Sequence, residues 1–355
     1  MKKKLLSLLL CTVMVGTMMA GCGSKEETPA ASNQETETPA ETETEEPAEN
    51  ADEEAEAPAA GEAKTVAYIT PSTTTPFWNW VEAGIQSAAA EAGYKVEVYD
   101  SANDSATQLK NAQNAITAQV DAIIISPTDS ASCPAVLEEA ETAGIPVIIC
   151  DIGTDEGNYL AMVSTPNYEG AYEVGKYLGQ YMKDNNLSGS VGEITIPLSR
   201  INGQNRTKGF EDALKEFGFE VNTVLETSDF TVDEADTQTR NIVTANSDLI
   251  AVFANHDQAT LGAVTAVSDL DLKDKVLVAS FDGNPDIVEY LKNGQVLVCG
   301  AQQAKKMGKE SLNALVSHFA GEEVPEEIQV PVLLLTADNV EEYLTEIDED
   351  VCGLN

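Results

Sequence analysis

The chain has 355 residues, of which 60 are acidic and 20 are Lys or Arg, and its formal net charge is −40. Most of this negative charge belongs to residues 64–355, which therefore repel phosphate and offer no basic face to nucleic acid. Nucleic-acid binding is excluded on this ground.

The first 21 residues have the order of a secretory signal peptide. Three lysines precede an apolar run that ends at Ala20. Small residues then lead to Cys22, which resembles the lipobox of bacterial lipoproteins, although Met19 stands where Leu is usual. We expect residues 1–21 to be a signal peptide and Cys22 to be the lipidation site. An ordinary signal peptide with an incidental cysteine is the alternative.

Residues 22–63 consist mainly of Glu, Thr, Ala, Pro, Asp and Asn, without an aromatic or branched aliphatic side chain. Such a segment cannot bury enough apolar surface to offset the entropy of ordering. We interpret it as a disordered acidic tether that joins an extracytoplasmic protein to a lipid anchor in the cell membrane.

From residue 64 onward, short apolar runs alternate with amphipathic segments, which predicts an α/β fold with parallel sheets covered by helices on both faces. A body of this length exceeds the usual size of a single core, so two lobes are expected. The strands expected in the first lobe are 66–70, 96–100, 122–126 and 146–150, and those in the second are 191–196, 221–226, 249–254 and 276–281. Residues 123–129 and 251–257 share one order of strand, turn and acid, which indicates duplicated lobes.

Polar and aromatic residues follow these strands, where ligands bind in open α/β sheets. Asp and Gln accept from paired hydroxyls, an Arg supplies a fixed donor, and aromatic faces suit the C–H patches of a sugar. The candidate ligand-binding residues are Thr75, Phe77, Trp78, Asp151, Arg206, Phe230, His256, Asp282 and Gln302.

The order of these segments from about Val66 to Val340 resembles periplasmic binding proteins of the ribose-binding type, which share their fold with the sensor domains of LacI-type repressors. The segments that carry the resemblance are residues 76–78, 126–129, 144–151, 206–210, 229–230, 281–286 and 301–302. The family's binding residues fall on the nine candidates above. Three positions depart from the ribose pattern: Thr75 replaces Asn, Ile152 replaces Arg, and His256 replaces Asn. The resemblance implies a sugar, and these departures place ribose itself in doubt.

The resemblance implies two similar doubly wound lobes of the type I periplasmic binding protein, joined by a three-segment hinge. The first lobe would comprise residues 64–164 plus 302–332, and the second 165–301 plus 333–355. The chain would cross between the lobes near residues 164–167, 300–302 and 331–335. Ligand would drive hinge closure through its additional contacts in the closed state.

Each candidate also has a structural alternative. Arg206 could pair with Glu211 on the helix surface, and the aromatic residues could be core, although the polar neighbours of Trp78 favour its exposure. His256 could be a pocket residue or a support, and we interpret Asp257 as a helix N-cap. Asn284 followed by Pro285 has the signature of an N-cap, which frees Asp282 for the cleft.

The four body cysteines, Cys133, Cys150, Cys299 and Cys352, match no zinc spacing, and buried free thiols are expected. The sequence has no phosphate loop, no nucleophile elbow and no metal cluster, so we expect neither an enzyme nor a cofactor. Asp151 and Asp282 as a glycosidase pair are the enzymatic alternative.

The sequence therefore predicts a monomeric lipoprotein that captures a monosaccharide or polyol and delivers it to the permease subunits of an ABC importer. Presentation of the ligand to a membrane receptor or sensor kinase is the alternative. Nucleosides and furanose-like molecules remain open as ligands. A transcriptional regulator of the same fold is excluded, because it would begin with a basic helix-turn-helix.

Overall fold

The computed structural model describes residues 63–352, which form two six-stranded sheets with helices on both faces of each. This confirms the predicted α/β fold. We call each sheet with its packed helices a lobe. Residues 1–62 and 353–355, with the signal peptide, Cys22 and nearly all of the tether, lie outside the described residues.

The first sheet has the order β11-β5-β4-β3-β1-β2, and all its neighbouring strands are parallel. Its strands are β1 (Thr65–Thr70), β2 (Lys95–Asp100), β3 (Ala122–Ile125), β4 (Val147–Cys150), β5 (Ala161–Ser164) and β11 (Glu327–Gln329). Its helices are α1 (Pro76–Ala92), α2 (Ser105–Thr117), α3 (Cys133–Ala143) and α9 (Ala304–Phe319).

The second sheet repeats this arrangement with the order β12-β10-β9-β8-β6-β7, except that β12 is antiparallel to β10. Its strands are β6 (Ser190–Thr195), β7 (Val221–Glu226), β8 (Leu249–Ala254), β9 (Leu277–Asp282), β10 (Val298–Ala301) and β12 (Leu333–Leu335). Its helices are α4 (Asn167–Asp184), α5 (Ile201–Phe217), α6 (Val232–Ala245), α7 (Asp257–Asp269), α8 (Pro285–Lys292) and α10 (Leu344–Glu346), which continues into a π-helical turn (Ile347–Cys352).

The alternation of side chains along β1 shows why the sheet needs helices on both faces. Val66 and Tyr68 pack into one core cluster with α1 and α9, whereas Ala67 and Ile69 pack into the opposite cluster with α2 and α3. A strand buried on both faces reads as a continuous apolar run, which is the signal that located it in the sequence.

Close helix packing fixes the elements that carry the candidate residues. A Cβ atom at Gly84 of α1 would overlap the carbonyl oxygen of Lys305 in α9, and one at Gly308 would overlap that of Val81. The second lobe repeats this device, since a Cβ at Gly209 of α5 would overlap the carbonyl oxygen of Tyr168 in α4. Only glycine permits these backbone approaches.

The eight expected strands lie within one residue of their predicted ends. The expected strands do not include β5, β10, β11 and β12, which have four residues or fewer. Ala112 is buried on α2, which ends at Thr117. Cys133 and Cys150 are buried free thiols, as expected, and burial raises their pKa to about 12. Within residues 63–352 no helix is long and apolar enough to span a membrane.

The chain passes between the lobes three times. The first crossing, residues 165–166, joins β5 to α4; the second, residues 302–303, joins β10 to α9; and the third, residues 330–332, joins β11 to β12. Gln303 donates from Nε2 to the carbonyl oxygen of Pro331 at 2.7 Å, which ties the second crossing to the third.

Candidate functional site

A cavity with an empty volume of about 400 Å³, including space open to solvent, lies between the two lobes. It lies at the carboxyl ends of the strands, where strand order reverses on either side of β1 and of β6. All nine candidates from the sequence line it: Thr75, Phe77, Trp78, Asp151, Arg206, Phe230, His256, Asp282 and Gln302. Its other lining residues are Ile196, Arg200, Asn202, Asp257 and Gln258.

Arg206 and Asp282 form a buried ion pair at the base of the cavity. The Arg206 Nη1 donates to Asp282 Oδ1 at 3.0 Å and to the carbonyl oxygen of Asn255 at 2.8 Å, and its Nε donates to Asn167 Oδ1 at 2.7 Å. The guanidinium also lies 4.3 Å from the centroid of the Phe281 ring. These contacts hold Arg206 in one orientation, and the alternative pairing with Glu211 is wrong.

The carboxylate of Asp282 is fully engaged by the protein. Its Oδ1 also accepts from Gln302 Nε2 at 2.6 Å, and its Oδ2 accepts from the backbone N–H of Asp257 at 3.2 Å. Burial raises the pKa of Asp282 despite the opposing charge of Arg206. Asp282 therefore organises Arg206 and Gln302 around the cavity.

Two buried acceptor atoms in the lining have no hydrogen-bond partner among the described residues. They are Asp151 Oδ1 and Gln302 Oε1. The other Asp151 oxygen accepts from Asn202 Nδ2 at 3.1 Å, across the cleft between the lobes. Because buried polar atoms without partners are costly, a ligand hydroxyl at each would relieve that cost.

Burial raises the pKa of Asp151 to about 6, and Asp282 adds to this rise. The charges of Arg206 and Arg200 oppose it, as does the hydrogen bond from Asn202. The carboxyl group is therefore ionised at neutral pH and is an acceptor for a ligand donor.

Three aromatic residues line the cavity in two different ways. Phe77 and Trp78 belong to the first-lobe core, where their rings meet edge to face at a centroid distance of 4.9 Å. The expectation that Trp78 is exposed is wrong, because only 6% of it is accessible. Its position in the first turn of α1 turns the ring toward the core, although residues 72–75 and Asn79 near it in sequence are polar. Phe230 is half-buried and presents its ring from the second lobe.

His256, not Asp257, is the N-cap of α7, so the expected capping role of Asp257 is wrong. The His256 Nδ1 accepts from the backbone N–H of Ala259 at 3.4 Å, which leaves Nε2 as the donor to Thr227 Oγ1 at 3.1 Å. Both ring nitrogens are thus occupied within the protein, and the ring contacts Phe230 at 5.9 Å. Asp257 is buried in the cavity wall.

Asn284 caps α8 by accepting from Ile287 N, as predicted.

Three lining residues adopt left-handed backbone conformations: Asp151 (φ 72°), Phe230 (φ 53°) and Asp282 (φ 81°). Asp tolerates this region better than most residues, whereas Phe does not. Such strain is maintained by surrounding structure and clusters at functional sites. Here it directs both carboxylates away from their strands and into the space between the lobes.

Arg200 and Asn202 are two lining residues that sequence reasoning missed, as it missed Ile196 and Gln258. Arg200 is the N-cap of α5, two residues before Asn202, and both lie beyond the predicted end of β6 by several residues. One signal for Arg200 was available in the sequence. The chain has three arginines, and Arg200 lies on the segment that leads to Arg206, which was already a candidate. Ile152, where the resemblance anticipates Arg, is buried in the first-lobe core and supplies no charge.

Within residues 63–352 no group of three or more His, Cys, Asp or Glu side chains is arranged to hold a metal ion. Both lobes contribute hydrogen-bonding groups to one cavity, which is the arrangement of a binding protein. The family comparison agrees: residues 66–323 match the periplasmic binding protein domain, and the chain belongs to the periplasmic binding protein family. The family is one of non-enzymatic binding proteins.

Curated relatives and solved structures match most of this chain and nearly all of their own length. The ribose import binding proteins of Haemophilus influenzae and Bacillus subtilis are each 29% identical, over 78% and 77% of this chain and 93% and 87% of theirs. An ABC transporter solute-binding protein from Bacillus halodurans, solved with myo-inositol, is 28% identical with a TM-score of 0.72, over 80% of this chain and 98% of that one. A carbohydrate transporter solute-binding protein from Agrobacterium radiobacter, solved with D-arabinose, is 25% identical with a TM-score of 0.76, over 81% and 99%.

Proposed function

We propose that this protein captures a neutral monosaccharide or polyol in the cavity between its lobes and delivers it to an ABC importer. The observation that carries the proposal is the pair of unpartnered acceptors, Asp151 Oδ1 and Gln302 Oε1, in a cavity that also contains two guanidinium groups. Hydroxyl groups both donate and accept, and they match such a mixed lining.

The charges of the lining favour a neutral ligand. Arg200 and Arg206 face the three carboxyl groups of Asp151, Asp257 and Asp282 within one cavity. An anion would be repelled by the carboxylates, and a cation would be repelled by the guanidinium groups. A hydroxyl-rich ring can instead form hydrogen bonds with both the donors and the acceptors. The half-buried Phe230 ring offers an apolar face for the C–H side of such a ring.

The relatives support this class of ligand and the delivery partner. Their names refer to ribose import, and the related structures contain D-arabinose in a carbohydrate transporter solute-binding protein and myo-inositol in an ABC transporter solute-binding protein. The lysine-led apolar segment and Cys22 support an extracytoplasmic lipoprotein held at the cell membrane. We therefore place the protein outside the cytoplasm, beside the permease subunits of its importer.

A thermal-shift screen of the purified protein against D-ribose, D-allose, D-arabinose, myo-inositol, nucleosides and amino acids tests the proposal. A ligand that binds only the folded state raises the melting temperature. At least one sugar or polyol should do so, and Asp151→Asn, which keeps the side-chain shape and tolerates the left-handed backbone, should diminish the shift. Stabilisation by amino acids alone, or by none of these solutes, would refute the proposed ligand class.

A further inference from the structure

A hydrogen-bonded seam connects the two lobes beside the cavity, and Arg200 lies in it. Arg200 belongs to the second lobe, yet its Nε donates to the carbonyl oxygen of Thr128 in the first lobe at 2.9 Å. The neighbouring backbone N–H of Ile201 donates to Ser130 Oγ at 3.1 Å, and Ser130 N donates to the carbonyl oxygen of Ser199 at 3.3 Å.

The first-lobe side of this seam is held by hydrogen bonds within the first lobe. Gln108 of α2 donates from Nε2 to the carbonyl oxygen of Ser126 at 2.9 Å, and its Oε1 accepts from the backbone N–H of Thr128 at 2.8 Å. One buried side chain thus holds the beginning of the loop after β3 at Ser126 and Thr128. This segment, which carries part of the family resemblance, presents the Thr128 carbonyl to Arg200.

The outer end of the Arg200 side chain is available to a ligand. Arg200 is 5% accessible and lines the cavity, with its guanidinium carbon 4.6 Å from the centroid of the Phe230 ring. Among residues 63–352, Nη1 and Nη2 have no hydrogen-bond partner, whereas Nε is held by Thr128. Burial lowers the pKa of Arg200 to about 10, so the group keeps its charge at neutral pH.

We propose that Arg200 is a ligand-binding residue that the second lobe contributes only when the lobes are closed, and that it recognises two neighbouring hydroxyl oxygens of the ligand. The inference rests on the proposed function and deepens it. The planar fork of a guanidinium places two N–H donors side by side, which suits two adjacent oxygens.

The surrounding acceptors select a diol over a carboxylate. Asp151 and Arg200 are close enough for each charge to affect the pKa of the other. A ligand carboxylate at Arg200 would therefore be repelled by Asp151, whereas hydroxyl groups can accept from Arg200 and donate to Asp151 Oδ1. The two residues come from opposite lobes, so a vicinal diol between them would join the lobes.

Calorimetric titration of three variants tests this role. The ligand is whichever of D-ribose, D-allose, D-arabinose and myo-inositol stabilises the wild type most. Deoxy analogues of that ligand, each lacking one hydroxyl, are titrated as well. Arg200→Ala should weaken binding by about 10- to 100-fold, because two charge-assisted hydrogen bonds are lost. Arg200→Lys should recover only part of this loss. Arg240→Ala, which removes the chain's remaining arginine on the surface of α6, should bind as the wild type does.

The deoxy analogues separate direct contact from a structural role. If Arg200 contacts the ligand, Arg200→Ala should reduce the affinity for at least one analogue less than it reduces the affinity for the full ligand. The analogue already lacks the hydroxyl that Arg200 would bind. Equal losses for every analogue, or unchanged affinity, would overturn the inference while the proposed function stands. If the wild type binds no sugar or polyol, the proposed function fails instead. Should Arg200→Ala not fold, the same comparison applies to Arg200→Lys.

Discussion

At the scale of single residues, the cavity combines engaged groups with unpartnered ones. Arg206 and Asp282 satisfy each other, whereas Asp151 and Gln302 each keep one buried oxygen free of hydrogen bonds within the described residues. The first pair fixes the geometry of the wall, and the second pair would provide acceptors for the proposed ligand. Substitutions in these two groups should therefore have different signatures.

Loss of Arg206 should destabilise the fold as well as weaken binding. Arg206→Ala would leave Asp282 buried without its counter-ion, which typically costs about 3–5 kcal/mol. Adding Asp282→Asn should restore part of the unfolding free energy, because the unpaired charge is gone. Urea denaturation of both variants checks this, and equal stability of the single and double variants would contradict it.

Ligand affinity should decrease at acidic pH because of Asp151. Burial raises the pKa of this carboxyl to about 6, and a hydroxyl that donates to it stabilises the ionised form. Affinity should therefore be constant above about pH 7 and fall by up to about tenfold per pH unit below 6. In Asp151→Asn this dependence should disappear, although binding is weaker throughout. Calorimetry between pH 5 and 8 measures the ligand affinity of the wild type and of Asp151→Asn. If the affinity of both proteins changed with pH in the same way, Asp151 would not be the titrating group.

The stability of the protein should depend on pH through Glu193, whether or not a ligand is bound. This residue of β6 is buried, accepts from Thr207 Oγ1 and Asn255 Nδ2, and burial raises its pKa from 4.5 to about 8. The folded state therefore retains a proton that the unfolded state loses above about pH 4.5. The stabilisation is complete below that pH and is lost as the pH rises through about 8, with a slope of up to about 1.4 kcal/mol per unit.

Glu193→Gln isolates this contribution, since the amide stays neutral at every pH. The difference in unfolding free energy between wild type and variant should change between pH 5 and 8, as measured by denaturation at each pH. A constant difference would show that Glu193 has the same pKa in both states.

At the scale of elements, the positions of the helices decide which side chains reach the cavity. Gly84 and Gly308 let α1 and α9 pack backbone against backbone, which holds Phe77 near the start of α1 beside Gln302 before α9. The sequence located the strands because a continuous apolar run is a local signal. It did not reveal this helix pairing, because the contact joins residues more than 200 positions apart.

Gly84→Ala should therefore destabilise the protein even though Ala has the higher helix propensity. The new Cβ would overlap the carbonyl oxygen of Lys305, and overpacking of this kind costs about 1–3 kcal/mol or more. Gln86→Ala, at an exposed position two residues along α1, is the matched control and should leave the melting temperature nearly unchanged. A Gly84→Ala protein as stable as the wild type would show that α1 and α9 can separate freely.

The nine candidates could be predicted because each follows a strand closely or lies on a segment with a family resemblance. Arg200 could not, because it lies in the loop between β6 and α5, and only the approach of the first-lobe loop makes it part of the wall. Trp78 shows a related limit, since the polar residues near it in sequence do not reveal that its ring, while lining the cavity, also packs into the first-lobe core. Local patterns therefore predict the elements, whereas contacts between lobes need the fold.

At the scale of the whole molecule, the cavity is joined directly to the crossings between the lobes. Asn167, which accepts from Arg206, begins α4 immediately after the first crossing, and Gln302 lies on the second. A hinge motion would therefore move Arg206 and Gln302 least and separate Arg200 from Thr128 most. Ligand binding and lobe closure should be coupled through the hydrogen bonds that Arg200 and Ile201 make to the first lobe.

Ser130→Ala tests this coupling because Ser130 belongs to the seam but does not line the cavity. Removing its hydroxyl should reduce the population of the closed state and so weaken the apparent affinity by about 2- to 10-fold. The weaker affinity should come from faster dissociation of the ligand rather than slower association. Stopped-flow tryptophan fluorescence measures both rates, and Ser317→Ala on the exposed side of α9 is the control. Because the ligand's own contacts are untouched in Ser130→Ala, a faster release would mean that the seam between the lobes retains the ligand. An unchanged release rate would mean that the cavity residues alone do so.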